Sequence, residues 1–367
     1  MWTVVLLISH CIFFSASLFD FTGLTLQDPW RFLYFSGRPC EGRDGRIGVC
    51  MEPKICAWKG GVEVGSCQQG RRICCSASRS CGQTISVNGS YFINPEYPES
   101  LSSARACSVR LASVSDLCQV RLDFEDLILR GPDSSTGRCE HDALRVTGGD
   151  RNDLVPSFCG SNSGHHAYIE VYSSSGPLTL TVVTSEHAGI DRKWKIKITT
   201  IRCESPWKAP ANCLQYYTGI TGNFQSFNYD AQNAPTVSGG YPRNLNYAIC
   251  FRKESGRCTI EYRVKDGSVF AIFNVDAGNE PTVNGGEAGV GVMECPTDYL
   301  LLGGIRYCGS RLNPSLEEEN PTENLPVTDN TGGPFVVNFV TDSEENAQGF
   351  NLDYEQILCS SSRNDTD

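Results

Sequence analysis

Residues 119–124 alternate without a break: Val120, Leu122 and Phe124 fall on one face of an extended chain, and Gln119, Arg121 and Asp123 on the other. A period of two marks a strand with one face in a core and the other in water. The same period returns in Leu178, Leu180 and Val182, and in Trp194, Ile196 and Ile198 with Lys193, Lys195 and Lys197 between them. It recurs in Ile260, Tyr262 and Val264, in Phe335, Val337 and Phe339, and in Phe350, Leu352 and Tyr354. Clusters of Gly, Ser, Asn and Pro separate these runs, and no stretch carries a convincing helical period. The pattern therefore predicts an all-β chain of short antiparallel strands stacked as sandwiches.

The N-terminus departs from this pattern. Val4 to Phe14 is an apolar stretch followed by Ser15-Ala16-Ser17, small residues placed for signal-peptidase cleavage after Ser17, although no Lys or Arg precedes the stretch. Residues 1–17 are thus expected to be a signal peptide, 18–39 a linker, and the protein secreted and extracellular. No other window approaches the roughly 18 apolar residues of a membrane span.

A chain of 367 residues exceeds one ordinary core, so two or three domains are expected. Of its 19 cysteines, 18 follow the signal, an even number that nine disulfides account for most simply in an oxidising compartment. They fall into three groups of six: Cys40, Cys50, Cys56, Cys67, Cys74 and Cys75; then Cys81 to Cys203; then Cys213 to Cys359. The second and third groups repeat an order of contexts. Cys81 and Cys213 open each copy; Cys107 and Cys250 follow Tyr97-Pro98 and Tyr241-Pro242; Cys118 and Cys258 precede alternating strands. Cys139 and Cys295 stand three residues before Asp142 and Asp298; Cys159 and Cys308 sit in aromatic-Cys-Gly steps; Cys203 and Cys359 close each copy.

These residues carry a resemblance. Cys81-Gly82, Asn94-Pro95-Glu96-Tyr97-Pro98, Cys139-Glu140-His141-Asp142 and Phe158-Cys159-Gly160 resemble the CUB domain, and so do Cys295-Pro296-Thr297-Asp298-Tyr299, Tyr307-Cys308-Gly309, Val340-Thr341-Asp342 and Gly349-Phe350. The resemblance covers 81–359 and implies two jelly-roll-like β-sandwiches, at 81–203 and 213–359, the second divergent between Phe273 and Cys295. It implies pairing of Cys81 with Cys107, Cys139 with Cys159, Cys213 with Cys250, and Cys295 with Cys308. The two cysteines left in each copy suggest Cys118 with Cys203 and Cys258 with Cys359, long loops whose closure contributes about 4–5 kcal/mol each in the chain-entropy model.

The segment 40–76 is too small for a hydrophobic core, so disulfides must hold it. Its spacing, C-x9-C-x5-C-x10-C-x6-C-C, is similar to the clip-type knot that precedes secreted arthropod proteases and related non-catalytic proteins, though its loop between Cys56 and Cys67 is short for that family. That family's pattern implies Cys40 with Cys74, Cys50 with Cys67 and Cys56 with Cys75. The connection 204–212, with Pro206 and Pro210, reads as a short stiffened link between the sandwiches, and 360–367 as a polar tail.

Charge narrows the partner. A net charge of −11 argues against nucleic acid. From Arg311 onward there are twelve acids and two arginines, whereas 192–208 carries six basic residues and one acid. Arg192, Lys193, Lys195 and Lys197 beside Trp194 suit a sulfated glycan or an acidic surface. The competing and favoured reading is that lysines on a terminal strand guard its edge.

Catalytic chemistry finds little support. A clip-like knot raises a serine protease, but Gly148-Gly149-Asp150 runs into Arg151 rather than the nucleophile context, and no acid, base and nucleophile stand in register. His141, His165, His166 and His187 read as surface-loop residues, and adjacent His165 and His166 point apart on a strand. Calcium is the one metal weighed. CUB domains resemble one another in a Glu and two Asp at one end. The first copy offers Asp142 but has Arg130 and Glu186 at the other positions, and a guanidinium there would repel the cation. The second keeps Asp298 and Asp342 with no Glu in 268–274, a weak calcium candidate; no other cofactor is expected. Asn88-Gly89-Ser90 and Asn364-Asp365-Thr366 have the form of glycosylation acceptors.

Two functions fit this sequence. One is a secreted, non-catalytic protein or glycan binder or adhesion protein acting through the end loops of its modules. The other is a non-catalytic regulator or cofactor of an extracellular serine-protease cascade, whose partner is a secreted protease docked by the knot.

Overall fold

The computed structural model describes residues 39–359 apart from 44, 69, 113–115, 150–154, 172–175, 187–189, 230–238 and 315–321. The expected signal peptide, His187, Asn364 and the tail 360–367 lie outside the described residues. Three units follow in chain order, each closed by three disulfides. Cys40–Cys74, Cys50–Cys67 and Cys56–Cys75 hold the knot; Cys81–Cys107, Cys118–Cys203 and Cys139–Cys159 the first sandwich; Cys213–Cys250, Cys258–Cys359 and Cys295–Cys308 the second.

The first sandwich stacks two sheets. One runs, in spatial order, through Ala143–Thr147, Thr179–Thr184, Arg105–Leu111 and Thr84–Ile85. The other runs through His166–Glu170, Leu117–Ile128, Lys193–Arg202, Ser90–Ile93 and Ser78–Arg79. Trp194 pairs with Leu127, and after a register shift Ile196 pairs with Phe124 and Ile198 with Leu122. All six are buried, facing Leu180 and Val182 of the opposite sheet. Full burial of each such side chain is worth about 1.5–3 kcal/mol, which fixes the register, because a one-residue slip would turn the whole set outward.

The second sandwich pairs a sheet of six strands with one of four. The larger contains Cys213–Tyr217, Asn246–Phe251, Phe335–Val340, Tyr299–Leu302, Ile305–Gly309 and Ala288–Val290; the smaller contains Thr221–Gln225, Asn351–Leu358, Arg257–Val264 and Val327–Asp329. Its core is aromatic. Phe251, Tyr262, Phe335, Phe339, Phe350 and Tyr354 are buried, with edge-on ring pairs such as Phe339 against Phe350 at 5.2 Å.

Three sequence expectations change here. Lys193–Arg202 is flanked on both sides, by Leu117–Ile128 and Ser90–Ile93, so its lysines guard no edge. Gln119 and Arg121, read as facing water, are buried, because the second sandwich lies across that face. A short helix, Pro53–Trp58, occurs in the knot, and its six residues are too few for a period to show.

The knot is docked on the first sandwich. Ser78–Arg79 adds to the sheet edge alongside Tyr91 and Phe92, and Arg79 Nη1 and Nη2 donate to the carbonyls of Gly60 and Lys59. Val87 of the sandwich completes a small core with Val49, Met51, Cys56, Cys75 and Ala77.

Candidate functional site

The link between the sandwiches is pinned from the first. Gln119 Oε1 accepts from the Ala209 N–H at 2.8 Å, and its Nε2 donates to the Ala209 carbonyl at 2.9 Å, so one amide imitates a neighbouring strand. Beyond it, strand Cys213–Tyr217 lies against strand His166–Glu170. His165 and His166 are 4% and 7% exposed, which corrects their reading as surface-loop residues; the second sandwich covers them. His166 Nε2 accepts from the backbone N–H of Tyr216 at 3.0 Å. His165 stands between two glutamines, its Nδ1 3.3 Å from Gln215 Nε2 and its Nε2 2.9 Å from Gln225 Nε2. Phe158 packs edge-on to Phe227 at 4.9 Å, and the Asn228 N–H donates to Asn162 Oδ1 at 2.8 Å. The joint is thus apolar contact threaded with directional hydrogen bonds, which set one orientation of the two modules.

At one end of the molecule, loops of both modules meet. Pro242 to Leu245 of the second module lies against the first: the Arg243 N–H donates to the Gly137 carbonyl at 2.9 Å, and Arg243 Nη1 reaches the carbonyls of Ser135 and Ser343, one in each module. Between these loops opens a cleft of about 430 Å³, whose walls include Arg138, Glu140, Arg145, Pro156, Arg243 and Leu245. The Arg138 and Arg145 side chains are exposed and make no hydrogen bond or ion pair among the described residues. The cleft therefore presents two available guanidiniums beside one carboxylate, on a chain that is acidic overall.

The buried aspartates sit close behind these loops. Asp142 is fully buried, and Arg192, also fully buried, grips it through Nε at 2.5 Å. The N–H groups of Arg130 and Ser185 also donate to Asp142, at 3.0 and 2.9 Å. Burial pushes this carboxyl up, but the Arg192 hydrogen bond, the two backbone donors and the guanidinium charge outweigh it and hold it below the usual range. Arg130, expected from the sequence to stand at the ligand position of a Glu and to repel a cation there, contributes its backbone N–H to Asp142, and the charge beside Asp142 is that of Arg192.

Asp298 has no such partner. Its Oδ2 accepts from the Tyr241 hydroxyl at 2.8 Å and its Oδ1 from the Asp342 N–H at 2.7 Å. Burial is the main reason its pKa rises to about 7. Asp342 Oδ1 in turn accepts from the Glu344 N–H. The place of a third acid is taken by Asn274, whose Nδ2 donates to the Asp298 carbonyl. Calcium collects about six to eight oxygens. Two carboxylates, with both oxygens of Asp298 already accepting, do not fit a resident calcium ion.

The remaining candidates have structural partners. Lys195 pairs with Glu125 at 2.7 Å and lies over the Tyr91 ring; Lys193 approaches Asp126 at 3.7 Å and lies over Tyr97. The basic stripe is in this way largely neutralised. His141 Nε2 meets Asp133 Oδ2 at 3.0 Å, and Ser135 Oγ donates to Asp133 Oδ1 at 2.5 Å. The hydroxyl is thus bonded to the acid rather than to the imidazole, an order that gives it no base. Asn88 lies in a turn where its Oδ1 accepts from the Thr200 N–H at 2.7 Å.

The sequence reading missed Arg192 as the partner of Asp142, the two joint histidines and the cleft. The first two involve residues about fifty positions apart, and only the basic excess at 192–208 hinted at any of them.

Residues 81–197 match the profile described as CUB domain and residues 210–357 that described as Animal CUB domain. Cubilin of Canis lupus familiaris is 23% identical over 294 residues, taking in 76% of this chain and 6% of cubilin, so the chain spans a small part of that relative's length. Among solved structures, the CUB1-EGF-CUB2 domains of rat MASP-1 align at 14% identity with a TM-score of 0.25, over 76% of this chain and 99% of that one. The full extracellular region of zebrafish Gpr126/Adgrg6 aligns at 11% identity with a TM-score of 0.25, over 78% and 34%.

Proposed function

Taking the chain as a tandem CUB-domain protein, we propose that it is a secreted, non-catalytic binding protein that grips an acidic group of an extracellular protein or glycan where the end loops of its two modules meet. The observation that carries this reading is the pair of exposed guanidiniums, Arg138 and Arg145, without a side-chain partner among the described residues, on a cleft whose two walls Arg243 ties together. A guanidinium forks onto carboxylate or sulfate with two parallel hydrogen bonds, and a fixed pair selects for the spacing of the anions it meets. Binding to sulfated glycans and acidic extracellular proteins, compared between the natural chain and an Arg138→Glu/Arg145→Glu variant, tests it. Loss of affinity by about tenfold or more is expected, with a steep salt dependence in the natural chain. Equal binding by both proteins would refute it.

A second reading draws on the knot. Trp58 is 82% exposed there, with Ile55 and Val62 also exposed. An apolar surface of this kind on a clip-like unit fits docking to a secreted protease, which would make the chain a regulator of an arthropod-like extracellular protease cascade. Trp58→Ala should then abolish capture of protease from body fluid while leaving glycan binding intact; unchanged capture would count against it.

A further inference from the structure

The joint contains two imidazoles in the one protonation state that lets it close. His166 Nε2 accepts from the Tyr216 backbone N–H, which must donate and cannot turn away, so the nitrogen must be bare. His165 is held between Gln215 and Gln225. A neutral ring offers one N–H and one acceptor, so one glutamine must present its oxygen. Gln215 Oε1, buried with no other partner, is suited to take Nδ1–H, leaving Nε2 to accept from Gln225.

Among the described residues no anionic side chain is paired with either ring. On the first module, Arg121 reaches the Tyr168 hydroxyl and pairs with Asp123 at 2.7 Å, and Glu170 accepts from Gln119. From the second module come Tyr216, Tyr217 and Phe227, with Arg252 and Glu254 paired to each other beyond Tyr216. Among the described residues no carboxylate forms an ion pair with either histidine, and the Arg121 guanidinium repels a charge on His166.

We propose that the joint between the two CUB modules is an acid-sensitive latch: protonation of His166, joined by His165, sets N–H against N–H at Tyr216 and releases the second module from the first. At neutral pH both rings are neutral and the modules stay docked. Opening returns the rings to water and to their ordinary basicity, so acid favours the open form.

The sign follows from burial. Desolvation lowers the His165 pKa from 6.5 to about 4, and desolvation, with Arg121 and His165 adding to it, lowers that of His166 well below 6.5. The docked form is therefore little disturbed above pH 6.5 and loses ground below it, by about 150-fold from His165 alone on reaching pH 4. His166 adds to this, because its hydrogen bond is destroyed rather than rearranged.

The test is hydrogen exchange on the full chain from pH 7.5 to 4.5, corrected for intrinsic rates, following the amides of 213–217 against those of the core strand Lys193–Arg202. Protection of the Tyr216 amide is expected to fall at least about tenfold between pH 7 and pH 5, reversibly, while the core strand stays protected. In His166→Gln an acceptor remains that does not titrate, so protection should persist to lower pH. His165→Gln should shift the transition by a smaller amount, and it supplies the comparison if His166→Gln fails to fold. Unchanged protection in the natural chain at pH 4.5, or loss at the same pH in both variants, would overturn the proposal.

Discussion

The two CUB modules bury the same residue type at the same point of their repeat, three residues after Cys139 and Cys295, and neutralise it differently. Asp142 has a counter-ion supplied by its own module, the Arg192 guanidinium at 2.5 Å. Asp298 has only dipoles, from the Tyr241 hydroxyl and the Asp342 N–H, and its pKa rises to about 7. A carboxylate out of water must be paired, hydrogen-bonded or protonated. The first module includes the cation in its fold, whereas the second holds its carboxyl by hydrogen bonds alone and takes up a proton near neutral pH. The difference makes one module's end indifferent to neutral pH and the other's responsive to it.

The strongest way to break the comparison is Arg192→Met, which strands a buried charge. A loss of about 3–5 kcal/mol in chemical unfolding is expected, largely recovered when Asp142→Asn is added. If the single variant proves nearly neutral, Arg192 is not the element that balances Asp142.

A smaller effect comes from pH. The raised pKa of Asp298 means the folded state holds a proton that the unfolded chain has released, so its contribution is complete below about pH 4 and fades as pH rises through about 7. Between those limits stability should fall with rising pH by on the order of 1 kcal/mol per unit, and Asp298→Asn should flatten the slope. Asp142 has the opposite sign: its lowered pKa gives stability present above the ordinary carboxylate range and lost as acid protonates it. An unaltered slope in Asp298→Asn would contradict the assignment.

Calcium should act least. With two carboxylates and an amide at the end of the second module, millimolar calcium is expected to leave the melting temperature within about a degree, and chelation to leave binding unchanged. A clear rise in melting temperature that Asp298→Asn abolishes would show that a cation can take the place Arg192 fills in the first module.

The alternation of apolar residues made the sandwiches legible, because parity along a strand decides which side chains share a core. Trp194, Ile196 and Ile198 needed no knowledge of their neighbours to be assigned inward. Parity also says which residues point away from that core, but not what covers them. Gln119, Arg121 and His166 have the polarity of a solvated face and lie beneath a second module, where their hydrogen bonds orient the joint. The aspartates show the same limit. Their repeat contexts marked Asp142 and Asp298 as equivalent, but what neutralises each is set by a residue distant in the chain, or by none.

The claim on which the rest depends is that the two modules form one body at neutral pH, since the cleft exists only while they are docked. Residual dipolar couplings from backbone amides of both modules, measured on the full chain at pH 7.5, test it directly. A single alignment tensor fitting residues 81–203 and 213–359 together is the predicted result. Two tensors of different magnitude would mean that the modules reorient independently, and would contradict the account.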